Sequence, residues 1–312
     1  MNSKKIILPG GAGLVGQNVV VYLKQQGYHH IVVLDKHRNN LEIMRRLHPD
    51  IVIEYADLAE SGAWEQHFAD AAAVVMLQAQ IGGLESEVFF RNNVTSTECV
   101  LAAMHQYHVP FLVHISSSVV MSLACDDYTE TKKIQEDRVK SSGIEHVILR
   151  PTLMFGWFDR KHLGWLSRFM QKVPLFPIPG NGKYMRQPLY VGDFAHIIIR
   201  CLENPIKNET FNISGLERID YIDMIRVIKK TIHAKSHIIK IPYSLFYFLL
   251  YTWGLFDKDP PFTVKQLKAL VTHDEFEVID WPSIFNVTPT PFAQAVAQTF
   301  CHPEFSHVIL EF

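Results

Sequence analysis

The chain has 312 residues, of which 48% are hydrophobic and 20% charged, and its formal net charge is −2. That length suffices for one large core or two unequal lobes, and the balanced charge excludes a disordered chain, a nucleic-acid binder and a polyanion partner. Four cysteines (Cys99, Cys125, Cys201 and Cys301) lack metal-ligand or redox spacing, so free thiols and no metal site are expected. No signal peptide is read ahead of the first apolar run, and no run is long enough to span a bilayer, so the expectation is a cytoplasmic globular protein.

Residues 4–8 are a short apolar run of the kind found in buried parallel strands. Beyond them lies Pro9-Gly10-Gly11-Ala12-Gly13-Leu14-Val15-Gly16, and Val15, Val19, Val20 and Leu23 then recur at helical spacing. A strand therefore passes into a helix across three glycines. Gly10 allows a tight turn, Gly13 lets a bound anion approach the backbone, and Gly16 lets helix and strand pack closely. The unpaired N–H groups of that helix face the turn, with Leu14 and Val15 beside them, so a pyrophosphate is the expected guest. A second apolar run, residues 31–34, ends in Asp35, nineteen residues past Gly16. An acid at that strand tip accepts both hydroxyls of an adenosine ribose and repels a 2′-phosphate, which predicts NAD rather than NADP.

Residues 51–55 predict a third strand, followed by Asp57 and Leu58, and residues 71–77 a fourth, broken by Gln78-Ala79-Gln80. A long helix is expected over 89–106. A fifth strand over 111–115 ends in Ser116-Ser117-Ser118, a helix covers 128–141, and a sixth strand over 145–149 ends at Arg150-Pro151. This alternation predicts an α/β fold, a doubly wound parallel sheet of the Rossmann type, with ligands beyond the carboxyl ends of the strands. Past residue 155 the pattern loosens. Residues 1–155, with 189–215 returning to them, are expected to form the dinucleotide-binding domain. Residues 156–188 and 216–312 are expected to build a smaller substrate lobe, mostly C-terminal.

Tyr128 and Lys132 lie four apart at the start of a helix and share a face. A phenol with a pKa of about 10 is a poor base, and a neighbouring ammonium is expected to lower it toward working pH. Ser118, at the tip of the preceding strand, is the candidate to hold the same substrate oxygen, with Ser116 and Ser117 as competitors. Such a Ser–Tyr–Lys set beside a dinucleotide handles the proton while a hydride moves between an alcohol and nicotinamide.

These residues resemble those of the extended short-chain dehydrogenases/reductases of the NAD-dependent epimerase/dehydratase family. The likeness runs over residues 4–215 and includes the glycine turn, Asp35, Asp57-Leu58, Asn93 with the following Val-Thr-Ser-Thr, the three serines, Tyr128 to Lys132 with Glu136, Arg150-Pro151 and Tyr190 to Asp193. It implies a homodimer with NAD as cofactor and a nucleotide-linked sugar as substrate. It also implies Asp57 and Leu58 at the adenine, Gln78, Ala79 and Asn93 among the cofactor contacts, Lys132 on the nicotinamide ribose and Pro151 against the nicotinamide. Arg186, in the pattern running from Gly180, would meet the substrate's diphosphate, with Tyr190 beside it.

Val119-Val120 stands where the sugar 4,6-dehydratases of this family carry an acidic pair, so an epimerase or a reductase is expected instead. The C-terminal third, at 187–193, 241–246 and 261–263, resembles the branch that includes the nucleotide-binding accessory subunit of respiratory complex I. A dinucleotide-binding scaffold is therefore the rival expectation. Residues 244–256 are apolar nearly all round and are read as a helix buried in the smaller lobe or at a subunit contact, with a membrane-facing patch as the alternative.

Overall fold

The computed structural model describes residues 3–122, 126–256, 264–271 and 277–311. Cys125 and the 261–263 stretch lie outside them. The first half alternates regularly: β1 (Ile6–Pro9), α1 (Leu14–Gln25), β2 (Ile31–Asp35), α2 (Arg38–Leu47), β3 (Val52–Tyr55) and β4 (Ala73–Met76). Then come α3 (Ser86–Phe89), a π-helical stretch (Phe90–Thr95), α4 (Ser96–Gln106), β5 (Phe111–Ile115), α5 (Asp127–Ser141) and β6 (Glu145–Pro151). Short elements follow, namely β7 (Met154–Phe155), α6 (Leu163–Lys172), β8 (Leu175–Pro179), β9 (Met185–Arg186) and β10 (Leu189–Tyr190). Next are α7 (Val191–Glu203), β11 (Glu209–Ile213), β12 (Ile219–Asp220), α8 (Tyr221–Thr231) and β13 (His237–Ile241). The described chain closes with α9 (Tyr243–Phe256), α10 (Val264–Val271), α11 (Trp281–Phe285) and α12 (Phe292–Cys301).

Seven strands form one parallel sheet in the order β11-β6-β5-β4-β1-β2-β3. The strand order reverses between β1 and β4, where an open α/β sheet leaves a crevice beyond its carboxyl ends. Alternate residues feed two cores, as a sheet covered on both faces requires. Ile6, Leu8, Val33, Val75, Val113 and Val147 face one cluster; Ile7, Val32, Leu34, Val74, Leu112 and Ile148 face the other. A third cluster gathers Phe176, Ile178, Tyr221, Ile225 and Phe292 from the pair β8–β13, α8 and α12.

Buried polar contacts fasten the C-terminal segments to the sheet domain. Asp193 accepts hydrogen bonds from the Thr290 backbone N–H at 3.0 Å and from its hydroxyl at 2.6 Å. The Trp281 indole, 1% exposed, donates to the Ser214 carbonyl at 3.0 Å.

Two elements depart from expectation. The helix read over 89–106 changes pitch, because its first turns, Phe90–Thr95, wind as a π-helix that contains the wholly buried Asn93. Helix α9 forms over the apolar 244–256 segment, but none of its residues is buried, so it is not a core helix of this chain.

Candidate functional site

The glycine turn lies at the switch point, and each glycine there has a distinct cause. Gly10 has φ +74°, and a Cβ on it would sit 2.3 Å from the Gln78 backbone nitrogen. A Cβ on Gly16 would lie 2.1 Å from the Gly11 carbonyl oxygen, so this position is closed by helix–turn packing. Gly13, the residue that opens α1, differs: the nearest atom to its Cβ would be 3.8 Å away. The protein leaves that side open, where a phosphate would approach the first N–H groups of α1.

A cleft of about 810 Å³ extends from this turn along the carboxyl ends of the strands. It is lined by Gly10, Gly13, Leu14, Val15, Gly16, Asp35, Asp57, Leu58, Gln78, Ala79, Tyr128 and Pro151, all expected from the sequence, together with Ser116, Ser117 and Ser118. At the tip of β2, Asp35 accepts from the Ala12 N–H at 3.0 Å and the His37 N–H at 2.9 Å. Burial raises its carboxyl, with those two hydrogen bonds opposing. Burial also pushes Asp57 up, but Arg91 at 2.9 Å and the Ala59 N–H outweigh it and hold the carboxyl below its ordinary range. Gln78 keeps both atoms of its buried amide without a partner among the described residues, a costly arrangement unless a ligand supplies one. The open Gly13 face and the orphaned Gln78 amide together fit a bound dinucleotide.

The catalytic candidates meet differently from the sequence expectation. All three serines line the cleft; Ser117 is the one whose hydroxyl acts on the Tyr128 phenol, and Ser118 starts a 3-10 turn. Burial raises the phenol above its ordinary value, the Ser117 hydrogen bond lowers it in part, and the Asp126 charge raises it further. The expected lowering by Lys132 is absent. Lys132 is 0% exposed and donates to the Ile115 carbonyl at 2.9 Å, below the cleft wall instead of on it. Burial pushes its ammonium down to about 7, partly offset by the Glu136 charge. Behind it, Glu136 takes the Ser116 hydroxyl at 2.6 Å and both the Nε (2.8 Å) and a terminal nitrogen (2.5 Å) of Arg150. Burial raises the Glu136 carboxyl, but Arg150 and Ser116 outweigh it and hold it below its ordinary value.

Three further expectations change. Asn93 does not reach the cleft. Its amide accepts from the Gln80 N–H at 2.6 Å and donates to the Thr131 hydroxyl at 2.9 Å, tying the β4 tip to α5. Tyr190 is a core residue whose hydroxyl meets that of Tyr22 at 3.2 Å. Arg186 stays in the C-terminal part, bound to its neighbour's carbonyl at 3.0 Å and to the Leu270 carbonyl.

In their place stand residues with no local signal in the sequence. The turn at 158–162 lines the cleft with Arg160 and Lys161. Asp159 builds that turn by accepting from the backbone N–H groups of Lys161, His162 and Gly164 at 2.9–3.1 Å. Phe158 stands at φ +69°, a left-handed conformation uncommon outside glycine. Leu310 and Glu311 close the same cleft beside Asn40 and His37.

A seven-stranded parallel sheet with a glycine turn at its switch point and a Ser–Tyr pair in the same cleft defines a dinucleotide-binding α/β protein of the Rossmann type. The chain belongs to the NAD dependent epimerase/dehydratase family, whose sequence profile matches residues 6–214, and its cofactor is NAD. It is 26% identical over 266 residues to a putative UDP-glucose 4-epimerase of Methanocaldococcus jannaschii, covering 75% of this chain and 84% of that one. It is also 25% identical to the mitochondrial NADH dehydrogenase (ubiquinone) 1 alpha subcomplex subunit 9 of Rattus norvegicus, covering 90% of this chain and 76% of that one. Its fold matches the UDP-glucuronic acid 4-epimerase of Bacillus cereus, solved in complex with NAD, with a TM-score of 0.71 at 21% identity over 95% of this chain and 97% of the other.

Proposed function

We propose that the protein interconverts a hydroxyl and a ketone on a nucleotide-linked sugar, as an epimerase or a keto-reductase, with Tyr128 as proton carrier. The observation that carries this reading is that Ser117 and Tyr128 line the same cleft that begins at the glycine turn. Bound NAD supplies the hydride chemistry. The open face of Gly13 and the N-terminus of α1 would hold its pyrophosphate and Asp35 its ribose, and NAD would give the Gln78 amide a partner missing among the described residues. Ser117 and Tyr128 bracket the substrate oxygen. Burial, which raises its pKa, favours the protonated phenol, so Tyr128 would give its proton to a carbonyl oxygen in the reducing direction and take one from the hydroxyl in the oxidising direction. Arg160 and Lys161 take the role assigned from the sequence to Arg186 and meet the substrate's diphosphate.

Tyr128→Phe tests the assignment. Turnover on UDP- and dTDP-sugars should fall at least about a hundredfold, the usual scale for removing a general acid, while NAD affinity stays within about twofold. Full turnover in that variant removes Tyr128 from the chemistry. A second reading, a dinucleotide-binding scaffold, draws on the burial of Lys132 against the Ile115 carbonyl and on the resemblance to the complex I subunit. Wild-type protein that binds NAD tightly yet turns over no sugar nucleotide would establish that reading instead.

A further inference from the structure

Helix α9 is the largest feature of the molecule that the cleft does not use. Its 14 residues carry no charge, and its aromatic residues include Tyr243, Tyr247, Phe248, Tyr251, Trp253 and Phe256. Phe248 is 60% exposed, Leu255 66% and Phe256 92%. At 3.6 residues per turn, the exposed positions from Tyr251 round to Trp253 cover an arc of about 200°. The partly covered Phe246, Tyr247 and Leu250 fall on the remaining arc. A protein groove grips a helix along one face, so an apolar arc this wide calls for a surrounding medium. The helix is about 21 Å long, too short to cross a hydrocarbon core of about 30 Å, and among the described residues no helix is long and apolar enough to do so.

The charge around the helix selects the kind of medium. Between Asp223 and Asp257 the sequence has no carboxylate over 33 residues, yet it carries Arg226, Lys229, Lys230, Lys235 and Lys240. In a chain of net charge −2 this is a marked local excess. Lys240 lies on β13, directly ahead of α9, and is exposed; Lys183, also exposed, follows the Gly180 N–H that donates to the Ile241 carbonyl at 2.7 Å. Lys268 is exposed on α10, which packs against α9. Cations therefore predominate on the sequence leading into the apolar helix, while Asp257 and Asp259 follow it, and aromatic rings that favour the level of lipid headgroups lie along it.

We propose that α9 inserts into the headgroup–acyl boundary of an anionic lipid bilayer, lying in its plane, with Lys183 and Lys240 on the headgroups. The test mixes the full chain, loaded with NAD, with vesicles of equal parts phosphatidylcholine and phosphatidylglycerol and with vesicles of phosphatidylcholine alone. The protein should float with the anionic vesicles and show a blue-shifted tryptophan emission that is lost in Trp253→Phe. The double variant Phe248→Glu/Leu249→Glu changes exposed positions only and should keep its melting temperature while partitioning at least about tenfold less. No uptake by anionic vesicles overturns the proposal, as does uptake that survives the double variant. A dimer that the double variant dissociates, with no vesicle uptake by either form, assigns the helix to a second copy of the chain.

Discussion

The Lys132 ammonium donates to the Ile115 carbonyl at 2.9 Å with no exposure to solvent, which separates it from the phenol one helical turn earlier. Its titration becomes a property of folding. Burial lowers it from its ordinary value near 10.5 to about 7, so between those values the unfolded chain binds the proton and the folded chain does not. Stability should therefore rise as pH increases from about 7 toward 10. Chemical denaturation of Lys132→Met across that range should show a flatter pH dependence than wild type. An unchanged slope would mean that the ammonium is solvated.

Gly13 and Gly16 should respond in opposite ways to alanine. Gly13 has φ −78° and open space around its Cβ position, so Gly13→Ala should melt within about 2 °C of wild type, a surface-like change of about 0.5 kcal/mol. NAD binding to it, read by calorimetry, should weaken at least about tenfold, because the added methyl occupies the phosphate approach. Gly16→Ala drives a methyl against the Gly11 carbonyl and should lower stability by about 1–3 kcal/mol, as overpacking does. Equal melting temperatures for the two variants would contradict this division.

Ser117 and Ser118 are neighbours with different tasks. Removing the Ser117 hydroxyl deletes the partner of the Tyr128 phenol and leaves burial unopposed, so the phenol pKa should rise further. In a pH–rate profile Ser117→Ala should move the limb belonging to Tyr128 to higher pH and lower kcat, whereas Ser118→Ala should leave that limb in place. A shift confined to Ser118→Ala would restore the pairing expected from the sequence.

The parallel sheet and its glycine turn were legible because buried strands are short apolar runs and the turn needs glycine at fixed intervals. Asp35, Gln78 and Pro151 were proposed the same way, each lying at or next to a strand end, whereas Tyr128 was proposed from its spacing to Lys132 at the start of α5. What local pattern cannot report is the direction of a side chain inside a packed helix. The YxxxK spacing put Tyr128 and Lys132 on one face, but the 0% exposure of Lys132 comes from β5 running beneath it. Asn93 lies among family-like residues, yet the π-helical winding turns its amide toward Gln80 and Thr131. Arg160, Lys161 and Glu311 reach the cleft from distant parts of the chain, through contacts that no window of the sequence contains.

The clasp between Asn40 and Glu311 bears on synthesis. The Glu311 N–H donates to the Asn40 Oδ1 at 2.8 Å, and the Asn40 amide returns a hydrogen bond to the Glu311 carbonyl at 3.0 Å, across 271 positions of sequence. A nascent chain can assemble the first six strands of the sheet while residue 311 is still inside the ribosome, but this rim of the cleft cannot form until that residue emerges. Closure of this side of the cofactor cleft thus waits for residue 311, and a chain cut short of it would leave Asn40 without that clasp.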